Sequence, residues 1–268
     1  MKNKQLYSPE HLAYLHGVKK KGIFINLARG AILLCLLLFW ELSAYYEWVN
    51  PFITSSPSRI AKTIADLYES GSLFLHVKTT LWETLTGFAI AVVLGYSIAL
   101  LLWWSEIFRK ISEPYFVVLN ALPKIALGPL IIIWCGTGSK AIVFMTVLIG
   151  LIVAILNMLN GFMATDENKL LLLKSMGASK LQILTKLVIP SSLPTFISML
   201  KINVGMAWIG SIMGEYIVSK AGIGYLIVYG GQVFKLDLVM SAVFILCVLA
   251  AAMYSLVALL ERLVIKNK

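Results

Sequence analysis

Long apolar runs separated by short polar stretches dominate the pattern of this chain. The predicted spans cover residues 23–46 and about 81–104, 114–134, 141–161, 193–218 and 238–263. Each run is long enough to cross the roughly 30 Å hydrocarbon core of a bilayer as a helix. The pattern therefore predicts an all-α, polytopic membrane protein with six transmembrane helices.

The polar stretches divide the rest of the chain. Residues 1–22 are predicted to be a cytoplasmic segment, residues 47–80 an external loop with a surface helix at 59–68, and residues 264–268 a cytoplasmic tail. Residues 81–263 form a five-helix core, with a turn expected at 105–113 and a glycine-containing outside loop after the fifth span. A charged stretch at 163–192, here named the interspan segment, interrupts this core and is predicted to lie at the cytoplasmic surface.

Composition and charge support a membrane location. The chain is 59% hydrophobic and only 13% charged, with a net charge of +10, whereas soluble domains average about 25% charged residues. Of the 23 Lys and Arg residues, sixteen fall on the side assigned to the cytoplasm, six outside, and Lys124 within a span. This bias predicts cytoplasmic termini. Because the basic residues form no single patch, nucleic-acid binding is not expected.

The sequence carries no pattern typical of catalysis or metal binding. It lacks a Gly-Lys dipeptide, and the phosphate-binding loop of an ATPase requires one. The three cysteines lie in or beside apolar runs and are expected to behave as small apolar side chains. His11, His16 and His76 lie in polar stretches and are predicted to be solvated. We therefore predict no catalytic residue, no metal site and no cofactor bound by this chain.

The interspan segment carries local signals for two short helices joined by a tight corner. Gly177 suits the left-handed conformation that ends a helix. Ser179 and Gln182 form a capping-box pattern that begins another helix. Pro190 and Pro194 are expected to stop or redirect that second helix before the next span. The alternative is an ordinary amphipathic loop at the membrane surface.

The same segment resembles a known motif. From Leu171 to Pro190 it is similar to the cytoplasmic Glu-Ala-Ala motif of the inner-membrane permeases of binding-protein-dependent ABC importers. Gly177 matches the motif's glycine, Leu187 stands in for its isoleucine, and Ile189 with the following proline replaces its terminal Leu-Pro. Three leucines replace the Glu-Ala-Ala itself, so the charged contact of that glutamate is missing, although Glu167 lies one turn earlier.

Further motifs extend the resemblance over about residues 55–262, in the family's order and at roughly its spacing. They are similar to the branch that imports nitrate, sulfonates and taurine. These motifs are Ala-Leu-Pro at 121–123, Leu-Gly-Pro-Leu at 127–130, Trp-Cys-Gly-Thr-Gly at 134–138, Gly-Glu-Tyr at 214–216 and Gly-Ile-Gly-Tyr-Leu at 222–226.

The resemblance implies a type I ABC importer permease fold. It also implies a second permease subunit, in this branch an identical one, two cytoplasmic ABC ATPase subunits that hold ATP and Mg, and an external substrate-binding protein. The interspan segment then becomes the coupling segment, which seats in a groove of the ATPase. Its implied contact residues are Glu167, Leu171, Leu172, Leu173, Lys174, Ser175, Met176, Gly177, Ala178, Ser179 and Pro190.

Four polar residues within the spans are candidates for the translocation pathway, because ionisable and polar groups are costly in lipid. Lys124 could attract an anionic substrate, or it could reach the interface or pair with a carboxylate. Glu215 is expected to hold a helix end or to neutralise a cation. Asn120 and Asn203 could line the pathway, but a hydrogen bond between helices is the alternative.

Competing functions remain open at this stage. Pro123 and Pro129 are expected to break or kink the third span. An ion-coupled secondary transporter shares this broken span and the buried charges, yet it does not explain the charged corner. A membrane-embedded enzyme is the weaker alternative, because no paired carboxylates and no Ser-His arrangement are seen in the predicted spans. The branch resemblance favours a small anion such as an aliphatic sulfonate, taurine or nitrate, and a thiamine precursor or another heterocycle is the alternative substrate.

Overall fold

The structure is a computed structural model that describes residues 9–265. Within this range, the side chains of residues 9–16, 19, 264 and 265 lie outside the described set, and they include His11 and His16. The chain divides into two compact units, Met1–Thr63 and Ile64–Lys268, which we describe in turn.

The first unit contains a long helix and the start of a surface helix. The carboxylate of Glu41 accepts a 3.0 Å bond from the backbone N–H of Ser58 and a 2.6 Å bond from its hydroxyl group. These bonds fix the beginning of the helix predicted at 59–68, whose existence is confirmed. The helices are α1 (Pro9–Tyr45), α2 (Pro51–Thr54) and α3 (Pro57–Glu69), the last of which ends in the second unit.

The second unit is a bundle of helices with no strand among its described residues. Short 3₁₀ and π segments, Lys124–Leu127 and Leu184–Val188, interrupt the helical order. The helices are α4 (Ser72–Trp104), α5 (Glu106–Ala121), α6 (Gly128–Cys135), α7 (Ser139–Met163), α8 (Glu167–Ser175), α9 (Lys180–Ile183), α10 (Ile189–Val218), α11 (Ile223–Gln232) and α12 (Leu236–Ile265).

Helix length and composition confirm a polytopic all-α protein. Within the described chain, five segments are long and apolar enough to cross a membrane. A sixth span results if Glu106–Ala121 and Lys124–Cys135 count as one broken crossing. These two segments meet at a bend of 85°. The break falls at Pro123, where the sequence predicts an interruption. The five long segments are Lys20–Tyr45, Ser72–Trp104, Ser139–Met163, Lys180–Val218 and Leu236–Leu263.

Helices α4, α7 and α10 form the centre of the second unit. Glycines allow their backbones to approach closely: a Cβ added at Gly210 would lie 2.5 Å from the Cα of Thr146, and one at Gly214 would lie 3.0 Å from the Cα of Ile142. On α4, Gly87 faces the same Thr146 side chain. In lipid, where apolar burial gives little drive between helices, such close packing provides the association.

Two predicted loops are wrong. The turn expected at 105–113 is the beginning of α5, because the Ser105 hydroxyl accepts a 3.3 Å bond from the N–H of Phe108 and caps the helix. On the opposite side, α4 begins at Ser72, so residues 72–80 are helical and not part of an external loop. At Ser105 the capping signal outweighs the polar composition on which the turn was predicted, whereas α4 begins without a side-chain cap.

The outside loop after the fifth span is also corrected, because it contains the ten-residue helix α11. Its glycines suggested a loop. In the structure, Gly222 has a φ of +119° and directly precedes the helix. Gly230 lies near the other end of α11, against Val239 and the backbone of Lys235. Gly222 thus marks the positive-φ start of α11 and Gly230 a close packing contact, and neither marks an irregular loop.

The second short helix of the interspan segment does not stop at its prolines, contrary to the sequence prediction. Helix α9 continues through the π segment into α10, with Pro190 in the first turn of α10 and Pro194 inside it. The backbone N–H of Ile189 bonds to the carbonyl of Leu184, five residues earlier. This wider turn accommodates the proline ring, which would clash with the preceding carbonyl in a regular α-helix.

Candidate functional site

The corner of the interspan segment has the local geometry that its sequence predicts. Gly177 has a φ of +76° and ends α8. The N–H of Ala178 bonds to the carbonyl of Leu173, and the N–H of Gly177 to that of Lys174, both at 3.0 Å. This pair of bonds is a Schellman motif. Ser179 and Gln182 then form both bonds of a capping box, so the corner is defined by local interactions on both sides.

Helix α8 presents two different faces. Leu170 and Leu173 pack against the apolar core that α4, α7 and α10 form. On the opposite face, Leu171, Leu172 and Met176 are 68%, 59% and 73% exposed. An anchored helix with three neighbouring large apolar side chains in the open is typical of a surface that binds another protein. We call these three residues the apolar ridge.

Lys180 attaches the far side of the corner to α4. Its ammonium group donates a hydrogen bond to the backbone carbonyl of Trp104. The same ammonium lies 5.8 Å and 5.3 Å from the ring centroids of Trp103 and Trp104, which is within the range of cation–π attraction. The corner is therefore held both by core packing and by a polar contact at the end of a predicted span.

The remaining predicted coupling residues surround the corner. Ala178 is half-buried and packs against the same core as Leu173. The others are exposed at the surface of the segment: Glu167, Lys174, Ser175, Gly177, Ser179 and Pro190. The structure thus places the predicted residues from Glu167 to Ser179 on α8 and at the corner, and Pro190 apart from them in the first turn of α10.

A second group of polar residues is buried where α11 begins. Three consecutive backbone N–H groups there bond to side-chain acceptors, two of which come from α4 and one from the end of α10. The N–H of Gly222 bonds to Nδ1 of His76 at 2.9 Å, and that of Ile223 to the hydroxyl of Thr80 at 2.8 Å. The N–H of Gly224 bonds to a carboxylate oxygen of Glu215 at 2.6 Å. Since a helix leaves its first N–H groups unpaired, these side chains cap α11 in place of a local residue.

The prediction that His76 is solvated is wrong. Its side chain is buried and its ring stacks on Tyr225, with centroids 5.9 Å apart. Glu83, one turn beyond Thr80, lies next to Glu215, and both carboxyl groups are only 1% exposed. This cluster was not predicted from the sequence, although the spacing of residues 76, 80 and 83 places them on one face of a helix.

The candidate pathway residues occupy two different environments. Asn120 is exposed beside the break in the third span, and its carbonyl accepts a 3.2 Å bond from the ammonium of Lys124. Arg109, Lys110 and Lys201 form ion pairs with carboxylates, and no such pair is seen at Lys124 within the described part of the chain. The hydrogen bond to Asn120 holds the amine of Lys124 beside the break.

Asn203 and Glu215 lie inside the bundle instead. The amide of Asn203 donates to the carbonyl of Met199 at 3.2 Å, and its oxygen lies against Gly150. Glu215 caps α11. Both side chains are 1% exposed within this single chain, which favours the structural alternatives, a helix contact for Asn203 and a helix end for Glu215, over a place in an open pathway.

Comparison with known proteins identifies the class. A family described as the binding-protein-dependent transport system inner membrane component matches residues 91–266. The chain is 34% identical over 192 residues to the formylaminopyrimidine transport permease protein of Halalkalibacterium halodurans, covering 72% of this chain and 76% of that one. It is 25% identical over 250 residues to a putative aliphatic sulfonates transport permease protein of Bacillus subtilis, covering 93% and 90%.

The fold agrees with these relatives. A bacterial alginate ABC transporter, solved in complex with an alginate pentasaccharide-bound periplasmic protein, contains a chain that superposes with a TM-score of 0.63. At 15% identity, the match covers 91% of this chain and 97% of that one. Fold and spans define a multi-pass permease subunit of the type I ABC importer class. The chain belongs to the inner membrane components of binding-protein-dependent transport systems, and its resemblance to the sulfonate branch is confirmed.

Proposed function

We propose that this permease translocates a small anion delivered by an external binding protein, and that separate cytoplasmic ATPase subunits drive it through the apolar ridge. The observation that carries the proposal is the exposure of Leu171, Leu172 and Met176 on a helix whose other face is fixed in the core. Movement imposed on this ridge reaches the bundle directly, because α9 continues into α10 without a flexible linker.

The proposed division of labour makes the chain itself non-catalytic. No phosphate-binding loop is present in its sequence, so ATP and Mg belong to the ATPase subunits. Because the ridge is apolar, the groove that receives it should be apolar too, without the charged contact that a glutamate at the front of the motif makes. The remaining partners are a second copy of this chain and an external binding protein. The periplasmic protein in the related alginate complex supports the latter.

The proposed substrate is an aliphatic sulfonate, taurine or nitrate. The similarity to the sulfonate permease over 93% of this chain supports it, as does the amine of Lys124 at the broken span. A heterocycle is the second candidate, because the relative with 34% identity transports formylaminopyrimidine. The excess of Lys and Arg on one side supports an orientation with both termini in the cytoplasm.

Copurification of the ATPase tests the role of the ridge. We expect Leu172→Asp to abolish retention of the ATPase by the solubilised permease, because a buried carboxylate in an apolar groove is strongly unfavourable. The matched control is Phe234→Asp, which also replaces an exposed apolar side chain by a carboxylate. Residue 234 has a positive φ, which aspartate tolerates. Full retention of the ATPase by the Leu172 variant would contradict the proposal.

A further inference from the structure

A cavity of about 590 Å³ lies behind the corner, where the end of α4 and the start of α5 meet α8 and α9. It is separate from the apolar ridge, whose three residues do not line it. Its lining residues are Trp103, Glu106, Arg109, Met163, Leu170, Lys174, Ala178, Lys180 and Ile183.

The cavity combines an apolar floor with a cationic rim. Arg109, Lys174 and Lys180 supply three positive charges. The single acidic side chain of the lining, Glu106, forms a 2.8 Å ion pair with Lys110, which does not line the cavity. Arg109 forms a 3.7 Å ion pair with Glu113, which does not line the cavity. With three basic side chains and one acidic one, the lining carries a net positive charge, and its apolar side chains can contact hydrocarbon.

The depth of the cavity in the membrane is inferred from two tryptophans at the end of α4. Trp103 and Trp104 end the 33-residue helix α4, and tryptophan is enriched where lipid head groups meet hydrocarbon. Lys180 lies over both rings. The end of α4, and with it the cavity that Trp103 lines, is therefore expected near the level of the lipid head groups.

We propose that this cavity binds the head group of an anionic phospholipid. Basic pockets between helices at a membrane surface bind such head groups, and the guanidinium of Arg109 and the two ammonium groups suit a phosphate. The apolar floor distinguishes a lipid from a free phosphate ion, which has no use for it. The three ridge residues do not line the site, but Lys174 and Ala178 belong both to its lining and to the predicted coupling residues, so displacement by the ATPase is one outcome of the test.

Native mass spectrometry of the delipidated full-length chain tests the proposal, with dioleoyl phosphatidylglycerol and dioleoyl phosphatidylcholine as probes. We expect a clear preference for phosphatidylglycerol. Replacing Arg109, Lys174 and Lys180 together by glutamine, which keeps a donor at each position, should weaken its binding roughly a hundredfold, or about fivefold for each charge. The control replaces Lys140, Lys220 and Lys235 by glutamine and removes the same charge elsewhere.

Other results would overturn the proposal. Equal binding of the two lipids, or equal losses in the triple variant and its control, would exclude a specific site. Displacement of phosphatidylglycerol by inorganic phosphate would assign the cavity to a soluble anion, and displacement by the ATPase would assign it to that partner. Should the triple variant fail to fold, Lys174→Gln alone removes one exposed charge and should still weaken binding about fivefold.

Discussion

The carboxyl group of Glu215, near the end of α10, accepts a 2.6 Å hydrogen bond from the backbone N–H of Gly224, at the start of α11. This bond joins two helices across the short connection between them. Together with the bonds from His76 and Thr80, it satisfies the first N–H groups of α11. The geometry makes Glu215 a structural residue of the permease.

Replacing Glu215 by leucine should destabilise the protein. It leaves the buried N–H of Gly224 without an acceptor, which costs about 1–3 kcal/mol. Glu215→Gln keeps an acceptor oxygen and should be much milder. The thermal stability of both variants in detergent is measured from their aggregation, which size-exclusion chromatography monitors. The exposed Glu113→Leu serves as control. If the leucine and glutamine variants are equally stable, Glu215 does not cap α11.

Gly222→Ala should lower the yield of folded protein more than Gly71→Ala does. Both glycines have positive φ, +119° and +71°. A Cβ at Gly222 would overlap the carboxyl group of Glu215, whereas nothing lies within 4 Å of one at Gly71. Gly222 also has a ψ of 168°, in a region that essentially only glycine adopts, whereas Gly71 is in the left-handed helical region, so clash and backbone strain both disfavour alanine at position 222. Equal yields would show that the start of α11 can move away from Glu215.

The cluster around Glu215 also shows the limit of prediction from sequence. Gly177, Ser179 and Gln182 were interpreted correctly because every bond of that corner joins residues close in sequence. His76 was misjudged because its partner, Gly222, lies 146 residues away. The stretch of α4 around His76 is polar in sequence, and it is buried only because α4 packs against α11.

The prediction that the second short helix of the interspan segment stops at its prolines failed for a different reason. Pro190 and Pro194 have strong local preferences, and these favour a helix end. The π segment at Leu184–Val188 removes the conflict with Pro190 by widening a single turn. Such turns have no reliable sequence pattern, so the continuity of α9 with α10 could not be predicted.

The ion pair of Lys201 and Glu261 should couple α10 to α12. Their side chains meet at 2.5 Å and are 22% and 33% exposed. Breaking a largely buried pair by removing one partner costs about 3–5 kcal/mol when burial is complete, so Lys201→Met should lower thermal stability clearly. The double variant Lys201→Met with Glu261→Gln should recover part of the loss. Additive losses in the double variant would indicate no coupling.

Lys124 separates the two substrate classes. If its amine attracts the anion at the broken span, Lys124→Met should reduce uptake of an aliphatic sulfonate in vesicles that contain the whole assembly. Uptake of a neutral heterocycle should not change. Lys140→Met, on an exposed residue at the start of α7, controls for the loss of one positive charge. Unchanged sulfonate affinity and rate in the Lys124 variant would remove this residue from the pathway.

Solute uptake into proteoliposomes tests the central claim most directly, because the permease is proposed to move solute only when ATPase subunits act on its interspan segment. Vesicles with the permease, the binding protein and the ATPase should accumulate solute when ATP is supplied. Vesicles without the ATPase should not, and Gly177→Asp should remove uptake in the complete system because it places a carboxylate on the surface that contacts the ATPase. Uptake by the permease alone, or normal uptake by the Gly177 variant, would contradict the account.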